Sequence, residues 1–226
     1  MRIKHYSLFN NSSKVLNWEA LRNDESEAPY FLPYSREEFL KKVDTLSPSK
    51  ATEIIINETE KLKIHKAFSI GCGIASLEYQ IKKFSKLSVI VSDYNSSVLR
   101  LKSYNIFDDC LKLDAFRDVF PVNESFLMIF PRIDTEFDDQ QLETLFLKCK
   151  NAGIKYIWFI PAELLNYKIF FVELKILLVS ILKGKSRVFC GYARSKSAFK
   201  RLWGKHYRLV KEYKAENRFF LLQAIE

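Results

Sequence analysis

Two glycines with one residue between them, Gly71 and Gly73, stand where a short apolar stretch gives way to a helical one. Glycine lets the backbone turn sharply and lets a ligand approach the main chain closely. The first N–H groups of the helix that follows favour an anion such as a carboxylate or a phosphate. A Gly-x-Gly turn between a strand and a helix therefore predicts a site for a nucleotide-like ligand, although alone it is a weak signal.

Two acids follow, at the ends of the next two predicted strands. Asp93 comes 22 positions after Gly71, where a carboxylate can accept hydrogen bonds from both hydroxyls of a ribose. Asp114 ends the third predicted strand, and together with a backbone N–H of the residues after it, Ala115 and Phe116, it can bind the edge of an adenine. The turn and the two acids together predict a nucleoside cofactor more specifically than the turn does.

The pattern Gly-x-Gly-x-Ala over residues 71–75 differs from a dinucleotide fingerprint, whose third glycine would fall on Ser76. It resembles the first motif of the class I S-adenosylmethionine-dependent methyltransferases. Residues 91–94 (Val-Ser-Asp-Tyr) resemble that family's second motif, and residues 113–115 (Leu-Asp-Ala) its third. The resemblance covers residues 66–226.

The resemblance implies an α/β fold with a doubly wound, mainly parallel, seven-stranded Rossmann-like sheet that ends in an antiparallel hairpin. It implies S-adenosyl-L-methionine as the cofactor and a methyltransferase (EC 2.1.1) as the enzyme class. The residues that it places at the cofactor are Ser69, Gly71, Cys72, Gly73, Asp93, Tyr94, Asp114, Ala115 and Phe130.

Ser69 stands where the family carries Asp or Glu, two positions before the first glycine. In the family that acid holds the amino group of the cofactor's methionine part, whereas a serine can only accept a hydrogen bond without charge. Three alternatives stay open: a lower cofactor affinity, an acid elsewhere that substitutes, or a non-catalytic cofactor-binding homologue. A doubly wound fold without a cofactor, in which Asp93 and Asp114 only cap helices, is a fourth.

The segment after the fourth strand supplies acceptor contacts in the family, and here it runs from Phe130 to Asp134. It lacks the Asn/Asp-Pro-Pro-aromatic motif of enzymes that methylate amino groups of adenine or glutamine, and no nearby cysteine could serve cytosine chemistry. Arg132 and Arg194 are weak substrate candidates, because guanidinium groups suit a carboxylate, a phosphate or sugar hydroxyls. Asp134 is either a base or a helix cap. The sequence identifies no catalytic residue, and we expect no metal site.

The elements that would position these residues alternate between strand and helix from Lys66 onward. This rhythm of continuous apolar strands predicts a parallel sheet that is covered on both faces. A long apolar helix, a short basic helix and a terminal hairpin then follow. The predicted strands are 67–70, 88–92, 110–113, 126–130, 155–160, 207–213 and 218–225, and the predicted helices from here on are 76–84, 96–104, 138–150, 164–182 and 197–203.

Residues 1–65 are predicted to form a helical segment that packs on the methyltransferase-like domain of residues 66–226. Residues 1–30 have an irregular pattern, whereas Ser35 and the pair Ser47-Pro48 predict helices that end near Val43 and Leu62. Residues 162–183 are predicted to be a helical insertion. That insertion either covers the acceptor pocket, or packs on the sheet or against a second copy.

The 226 residues are 48% hydrophobic and 28% charged, which excludes a disordered chain. Basic residues exceed acidic ones by 36 to 27, and the excess lies in residues 183–226, which hold 12 basic and 3 acidic residues. Such a region attracts nucleic acid, an anionic membrane or an acidic substrate, or it is simply solvated. Four widely spaced cysteines predict reduced thiols, and together with the lack of a leader or a membrane span they predict a cytoplasmic protein.

These observations favour methyl transfer to a small molecule or to a saccharide or glycan acceptor. An RNA methyltransferase that holds nucleic acid with the basic C-terminal region is the alternative, and it is not favoured because the sequence shows neither an RNA-binding domain nor a nucleobase-directed motif. A non-catalytic cofactor-binding homologue is the second alternative. The acceptor, its reacting atom and the oligomeric state stay open.

Overall fold

The computed structural model describes residues 1–8, 15–215 and 217–226. Its strands are β1 (Arg2–Ser7), β2 (Lys66–Ile70), β3 (Ser88–Asp93), β4 (Asp109–Lys112), β5 (Phe126–Pro131), β6 (Tyr156–Ile160), β7 (Val188–Arg194), β8 (Tyr207–Lys214) and β9 (Arg218–Ala224). Its helices are α1 (Trp18–Asn23), α2 (Arg36–Val43), α3 (Lys50–Lys61), α4 (Ser76–Phe84), α5 (Val98–Ser103), α6 (Asp139–Asn151), α7 (Tyr167–Lys183) and α8 (Lys196–Trp203), and a short 3-10 turn spans Ile133–Thr135.

A seven-stranded sheet in the order β4-β3-β2-β5-β6-β9-β8 forms the centre of the molecule. The strands from β2 to β6 pair in parallel, whereas β9 runs antiparallel between β6 and β8. The predicted doubly wound sheet with a terminal antiparallel hairpin is therefore confirmed.

The chain reverses its winding direction at β2, which pairs with β3 on one side and with β5 on the other. Ligands of open α/β sheets bind beyond the carboxyl ends of the strands at such a switch point. The glycine turn follows β2 directly, and Asp93 is the last residue of β3. The topology thus brings the two predicted motifs to one place.

Helices cover both faces of the sheet, as its continuous apolar strands require. On one face Phe39 of α2 and Ile55 of α3 are fully buried, together with residues of α4 and α5. On the other face Phe146 of α6 and Phe199 of α8 pack against Phe159 of β6. The helix predicted from Ser47-Pro48 begins only at Lys50, because the Ser49 side chain accepts the hydrogen bond from Thr52 N and so caps it.

A second, two-stranded sheet pairs β1 with β7 in antiparallel fashion and was not predicted. The expectation that residues 1–30 are irregular is wrong, since they contain β1 and α1. The partner of Ile3 in this sheet is Ala193, at the far end of the chain, so no local pattern indicates the pairing. Gly191 of β7 lies against the 3-10 turn, where a methyl group on it would come within 2.3 Å of Thr135 O.

Candidate functional site

The glycine turn has a left-handed backbone at three positions. Gly71, Gly73 and Ala75 have φ angles of 72°, 60° and 55°, a region that favours glycine. A methyl group on Gly71 would come within 2.3 Å of Ile133 Cγ2. The N–H groups of Gly71 and Cys72 donate to Ser92 O at 2.8 and 3.0 Å, so the turn is anchored to the end of β3.

Asp93 completes this anchor from the adjacent strand. One carboxylate oxygen accepts a hydrogen bond from Gly73 N at 2.9 Å, and the other accepts from the backbone N and side-chain Nδ2 of Asn95. The side chain is nearly buried. Asp93 therefore holds the glycine turn and the loop after β3 in one arrangement, with its charge at the switch point.

Ser69 is fully buried in β2, where its side chain contacts an acidic residue. Its hydroxyl donates to Glu78 Oε1 at 2.6 Å, and Glu78 is itself buried in the first turn of α4. Burial raises the pKa of Glu78 to about 7, opposed by the hydrogen bond from Ser69. The structure therefore places a buried carboxyl group, contributed by α4, in contact with Ser69.

Arg22 of α1 is a site residue that the sequence did not indicate. Its guanidinium lies against the glycine turn, because a methyl group on Gly73 would come within 2.7 Å of Arg22 Nη2. Nη1 donates to Tyr30 O at 2.9 Å, whereas Nε is buried without a hydrogen-bond partner among the described residues. Burial lowers the pKa of Arg22, and the nearby Asp93 carboxylate opposes that shift.

Opposite charges therefore surround the turn at short range. Cys72, between the two glycines, is close enough to Asp93, Glu78 and Arg22 for each to influence its ionisation. Burial, followed by the two carboxylates, raises the pKa of the Cys72 thiol well above its usual value, so the thiol is neutral and unsuited to nucleophilic chemistry. An arrangement with one cation and two carboxylates matches a zwitterionic ligand.

A cleft of about 970 Å³ opens at the carboxyl ends of β3 and β4. The segment before and within α1 forms one wall and is tied to the sheet edge by two contacts: Glu19 accepts hydrogen bonds from Ser96 N and Oγ, and Trp18 Nε1 donates to Glu136 at 2.5 Å. The other lining residues are Val15, Leu16, Asn17, Tyr94, Asn95, Lys112, Asp114, Arg117 and Asp118.

Tyr94 and Asp114, which the sequence predicts to lie at the cofactor, line this cleft. Tyr94 is largely exposed. Asp114 accepts hydrogen bonds from Phe116 N and Arg117 N, and the first of these is the main reason that its pKa is lowered. Ala115 is buried. The Asp114 carboxylate is thus ionised and already holds its own loop.

Phe130 and Arg132 are close in sequence, but one is buried and the other is exposed. Phe130 is fully buried and packs on Phe146 beneath the sheet, so it belongs to the core and not to the cleft surface. Arg132 is exposed directly after β5 and has a left-handed backbone with a φ of 62°. Of the two, only Arg132 is accessible to an acceptor.

Arg194 is fully buried at the end of β7, contrary to an acceptor-binding role. Its Nε donates to Asp139 at 2.8 Å, and its two terminal nitrogens donate to the carbonyl oxygens of Asp134 and Phe137. These three bonds occupy the guanidinium, which connects β7 to the loop after β5. Arg194 therefore stabilises the loop after β5 and is not available to bind an acceptor.

Asp134 is also buried, beneath that loop. One of its carboxylate oxygens accepts a hydrogen bond from Ala162 N at 2.8 Å, and the other has no partner among the described residues. Burial raises the pKa of Asp134 to about 7, and the neighbouring charges of Arg194 and Arg132 only partly offset it. Its geometry is that of a loop anchor, not of a base in contact with a substrate.

The titration of Asp134 makes stability depend on pH. Because its pKa is about 7 in the folded protein against 3.8 otherwise, the folded state holds more protons between these values, and the free energy of unfolding falls as the pH rises through them. We expect Asp134→Asn, which keeps an oxygen for Ala162 N, to flatten this fall by up to about 1.4 kcal/mol per pH unit.

Urea unfolding at several pH values between 5 and 8 measures this effect. Glu78 titrates in both proteins with the same sign, so the difference between them isolates Asp134. Parallel pH profiles for the two proteins would show that Asp134 is not protonated in the folded state.

The structure thus brings Ser69, Gly71, Cys72, Gly73 and Asp93 together at the turn, and Tyr94, Asp114 and Ala115 at the adjoining loops. Sequence reasoning missed Arg22, Glu78, Trp18 and Glu136. A helix signal was present for α1, since Asn17 caps it, but only the fold places that helix over the turn. In the described part of the chain, no group of three or more His, Cys, Asp or Glu is placed to hold a metal ion.

Comparison with models of known protein families finds no family that matches this sequence, and comparison with curated proteins finds no similar sequence.

Several solved methyltransferase structures are similar to this chain. Human N-acetylserotonin methyltransferase in complex with S-adenosylmethionine superposes with a TM-score of 0.60 at 15% identity, over 92% of this chain and 59% of that one. The mitomycin 7-O-methyltransferase MmcR gives 0.59 at 16% identity, over 96% and 62%. Magnesium protoporphyrin IX methyltransferase from Synechocystis PCC 6803 with bound S-adenosylhomocysteine gives 0.61 at 8% identity, over 89% and 100%.

The chain spans about three fifths of the length of the first two of these proteins. At identities this low, the similarity shows the fold. The resemblance to class I methyltransferases inferred from the motifs is thus confirmed as a shared fold.

Proposed function

We propose that the protein is an S-adenosylmethionine-dependent methyltransferase that acts on a small molecule or a saccharide acceptor. The observation that supports this most strongly is the charge arrangement at the glycine turn. The methionine part of the cofactor carries one ammonium and one carboxylate, and the complementary groups are Glu78, which contacts Ser69, and Arg22, which lies against Gly73. The buried, unpartnered Nε of Arg22 is a donor that such a carboxylate would satisfy.

Different residues of the chain would bind different parts of the cofactor. Arg22 would hold the carboxylate, and Glu78 would hold the ammonium in place of the acid that the family carries at position 69. Asp93 would accept hydrogen bonds from the ribose hydroxyls, and Asp114 with the loop at Ala115 would bind the adenine edge. Tyr94, exposed in the cleft, is placed to pack on the nucleoside.

When bound, the cofactor supplies an electrophilic methyl group on a sulfonium. Displacement at that carbon needs aligned donor and acceptor and the exclusion of water, and it needs a base only where the acceptor must lose a proton. The segment from Val15 to Glu19, held by contacts to Ser96 and Glu136, forms one wall of the cleft and would help to exclude water. Arg132 is the accessible cation on the acceptor side.

Methyltransferases named for the small molecules N-acetylserotonin and mitomycin are among the similar structures, which favours the first function over an RNA methyltransferase. Within the basic C-terminal region, Lys196, Lys205, Lys211 and Arg218 each lie within 4 Å of a carboxylate. These pairs reduce the free positive charge that a polyanion could use. A non-catalytic homologue is less favoured, because the Glu78 carboxyl group beside Ser69 would take the role of the missing acid.

Isothermal titration calorimetry with S-adenosylmethionine and S-adenosylhomocysteine tests the proposal. We expect binding of both, and we expect Asp93→Ala to weaken it by roughly 1–3 kcal/mol through the loss of charge-assisted hydrogen bonds. Asp24→Ala is the matched control, since Asp24 makes the same local contact with Ser26 that Asp93 makes with Asn95 but lies at the end of α1 and not at the end of β3. A folded protein that gives no heat with either ligand would refute the proposal.

A further inference from the structure

Helix α7 carries a continuous stripe of exposed apolar side chains. We call these seven residues the α7 stripe; their exposed fractions range from 42% for Leu174 to 82% for Leu182. Their spacing of three and four places them within an arc of about 120° on one face of the helix. Large apolar side chains seldom lie together in water without a partner. The stripe consists of Tyr167, Phe170, Phe171, Leu174, Leu178, Ile181 and Leu182.

The opposite side of α7 holds the helix to the protein. Glu173 contacts the His5 ring and accepts a hydrogen bond from Tyr6 N of β1. No residue of α7 is fully buried. The stripe therefore points away from the β1–β7 sheet, and no other described part of the chain covers it.

Basic residues of α7 and of the segment after it border the stripe. Lys168 and Lys175 are exposed on one edge of it, and Lys183 and Lys185 are exposed where the helix ends. Between residues 164 and 187 the only acid is Glu173, and it is engaged by His5 on the inner side. The exposed charges of α7 and of the residues that follow it, up to Lys185, are thus all positive.

We propose that the α7 stripe docks on the surface of an anionic phospholipid membrane. An apolar face with lysines along its edge suits the boundary between acyl chains and negative headgroups, because the side chains enter the former and the ammonium groups meet the latter. Since the inner side of α7 is held by β1, the helix would lie along the membrane plane.

A second copy of the chain fits the stripe less well. In an isologous pair of antiparallel helices, the same edge of each helix faces its counterpart, so Lys168 and Lys175 of the two copies would approach one another. In a parallel pair, the basic edge would meet an edge that offers no free carboxylate. Like charges across an interface oppose association, whereas a negative membrane surface attracts all four lysines.

Co-sedimentation of the full chain with large vesicles tests this docking independently of cofactor binding and methyl transfer. We expect vesicles of phosphatidylcholine with about 30% phosphatidylglycerol to bind the protein at least about tenfold more tightly than phosphatidylcholine alone. Phe171→Glu and Leu178→Glu should each reduce binding by about tenfold or more. Both residues are exposed, so thermal unfolding should be unchanged.

Two variants serve as matched controls. Leu46→Glu changes an apolar side chain that is fully exposed outside the stripe and should leave binding unchanged. Lys175→Glu should reduce binding to the anionic vesicles by about tenfold, whereas Lys86→Glu, at another exposed site, should not.

Three results would overturn the docking proposal. One is the absence of binding to anionic vesicles, and another is equal binding by the wild type and both stripe variants. The third is a dimer, measured by light scattering, that Phe171→Glu dissociates while the wild type fails to bind vesicles.

Discussion

Replacement of Arg194 by alanine is expected to lower the free energy of unfolding by about 3–5 kcal/mol, because it removes a large, fully buried side chain and leaves two backbone carbonyl groups without their donors. The guanidinium is fully buried and donates to Asp139 and to two backbone carbonyl groups. Its removal leaves those carbonyl groups without donors and opens a cavity between the rings of Tyr192 and Phe199.

A second arginine provides the control for this prediction. Arg2 also contacts the Asp139 carboxylate, at 3.2 Å, but it is about one third exposed, so Arg2→Ala should cost at most about 1 kcal/mol. Arg194→Lys, which keeps the charge but loses the planar fork, should fall between the two. Urea unfolding followed by tryptophan fluorescence measures all three variants. An Arg194→Ala protein as stable as Arg2→Ala would show that the three bonds contribute little.

Substitution of Glu78 by glutamine is expected to weaken S-adenosylhomocysteine binding by roughly tenfold to hundredfold, because a charge-assisted bond to the ligand's ammonium is lost. The wild type should also bind more tightly as the pH rises from about 6 to 7.5. Since the pKa of Glu78 is about 7, its carboxyl must first release a proton at the lower pH, and binding should gain about fivefold to tenfold over that range. In Glu78→Gln this dependence should disappear.

The position of the acid, and not only its presence, can be tested by exchange. The double variant Ser69→Asp/Glu78→Gln moves the carboxylate to the position that the family uses, and we expect it to recover most of the lost affinity. Glu60→Gln, at an exposed site on α3, is the control for a change in net charge. If Glu78→Gln and the wild type bind S-adenosylhomocysteine with equal affinity, Glu78 does not contact the cofactor. The proposal that the protein binds the cofactor would still be tested by Asp93→Ala.

Local signals were sufficient for the central sheet and its helices. The β-branched run at β3 and the capping residues of α2 and α6 specify their elements within a few residues, because strand and helix periodicity are local properties. The positions of the glycine turn and of the two acids could also be predicted from the sequence, since they depend only on where the strands end. Even there, the sequence placed Phe130 beside the cofactor, whereas the fold buries it against Phe146.

Residues contributed from far along the chain could not be predicted. Arg22 reaches Gly73 only because α1 is tied to the loop after β3 through Glu19 and Ser96. Arg194 is a second example of a long-range contact that the sequence does not indicate. The sequence suggested that its guanidinium could bind a substrate, whereas in the structure the guanidinium donates to Asp139 and to two backbone carbonyl groups.

The sequence by itself predicted a parallel sheet covered on both faces, a terminal hairpin and the glycine turn with Asp93 and Asp114, because each of these signals lies within one strand-turn-helix or hairpin unit. The doubly wound order came from the family resemblance that those motifs carry. Only the tertiary structure decided that Glu78 stands beside Ser69, that Arg22 lies over the turn, and that β1 pairs with β7. These contacts join segments whose separation carries no periodic signal, and their geometry depends on how all the intervening elements pack. The exposure of α7 was decided in the same way, since an apolar helix is buried only where the fold provides a surface to cover it.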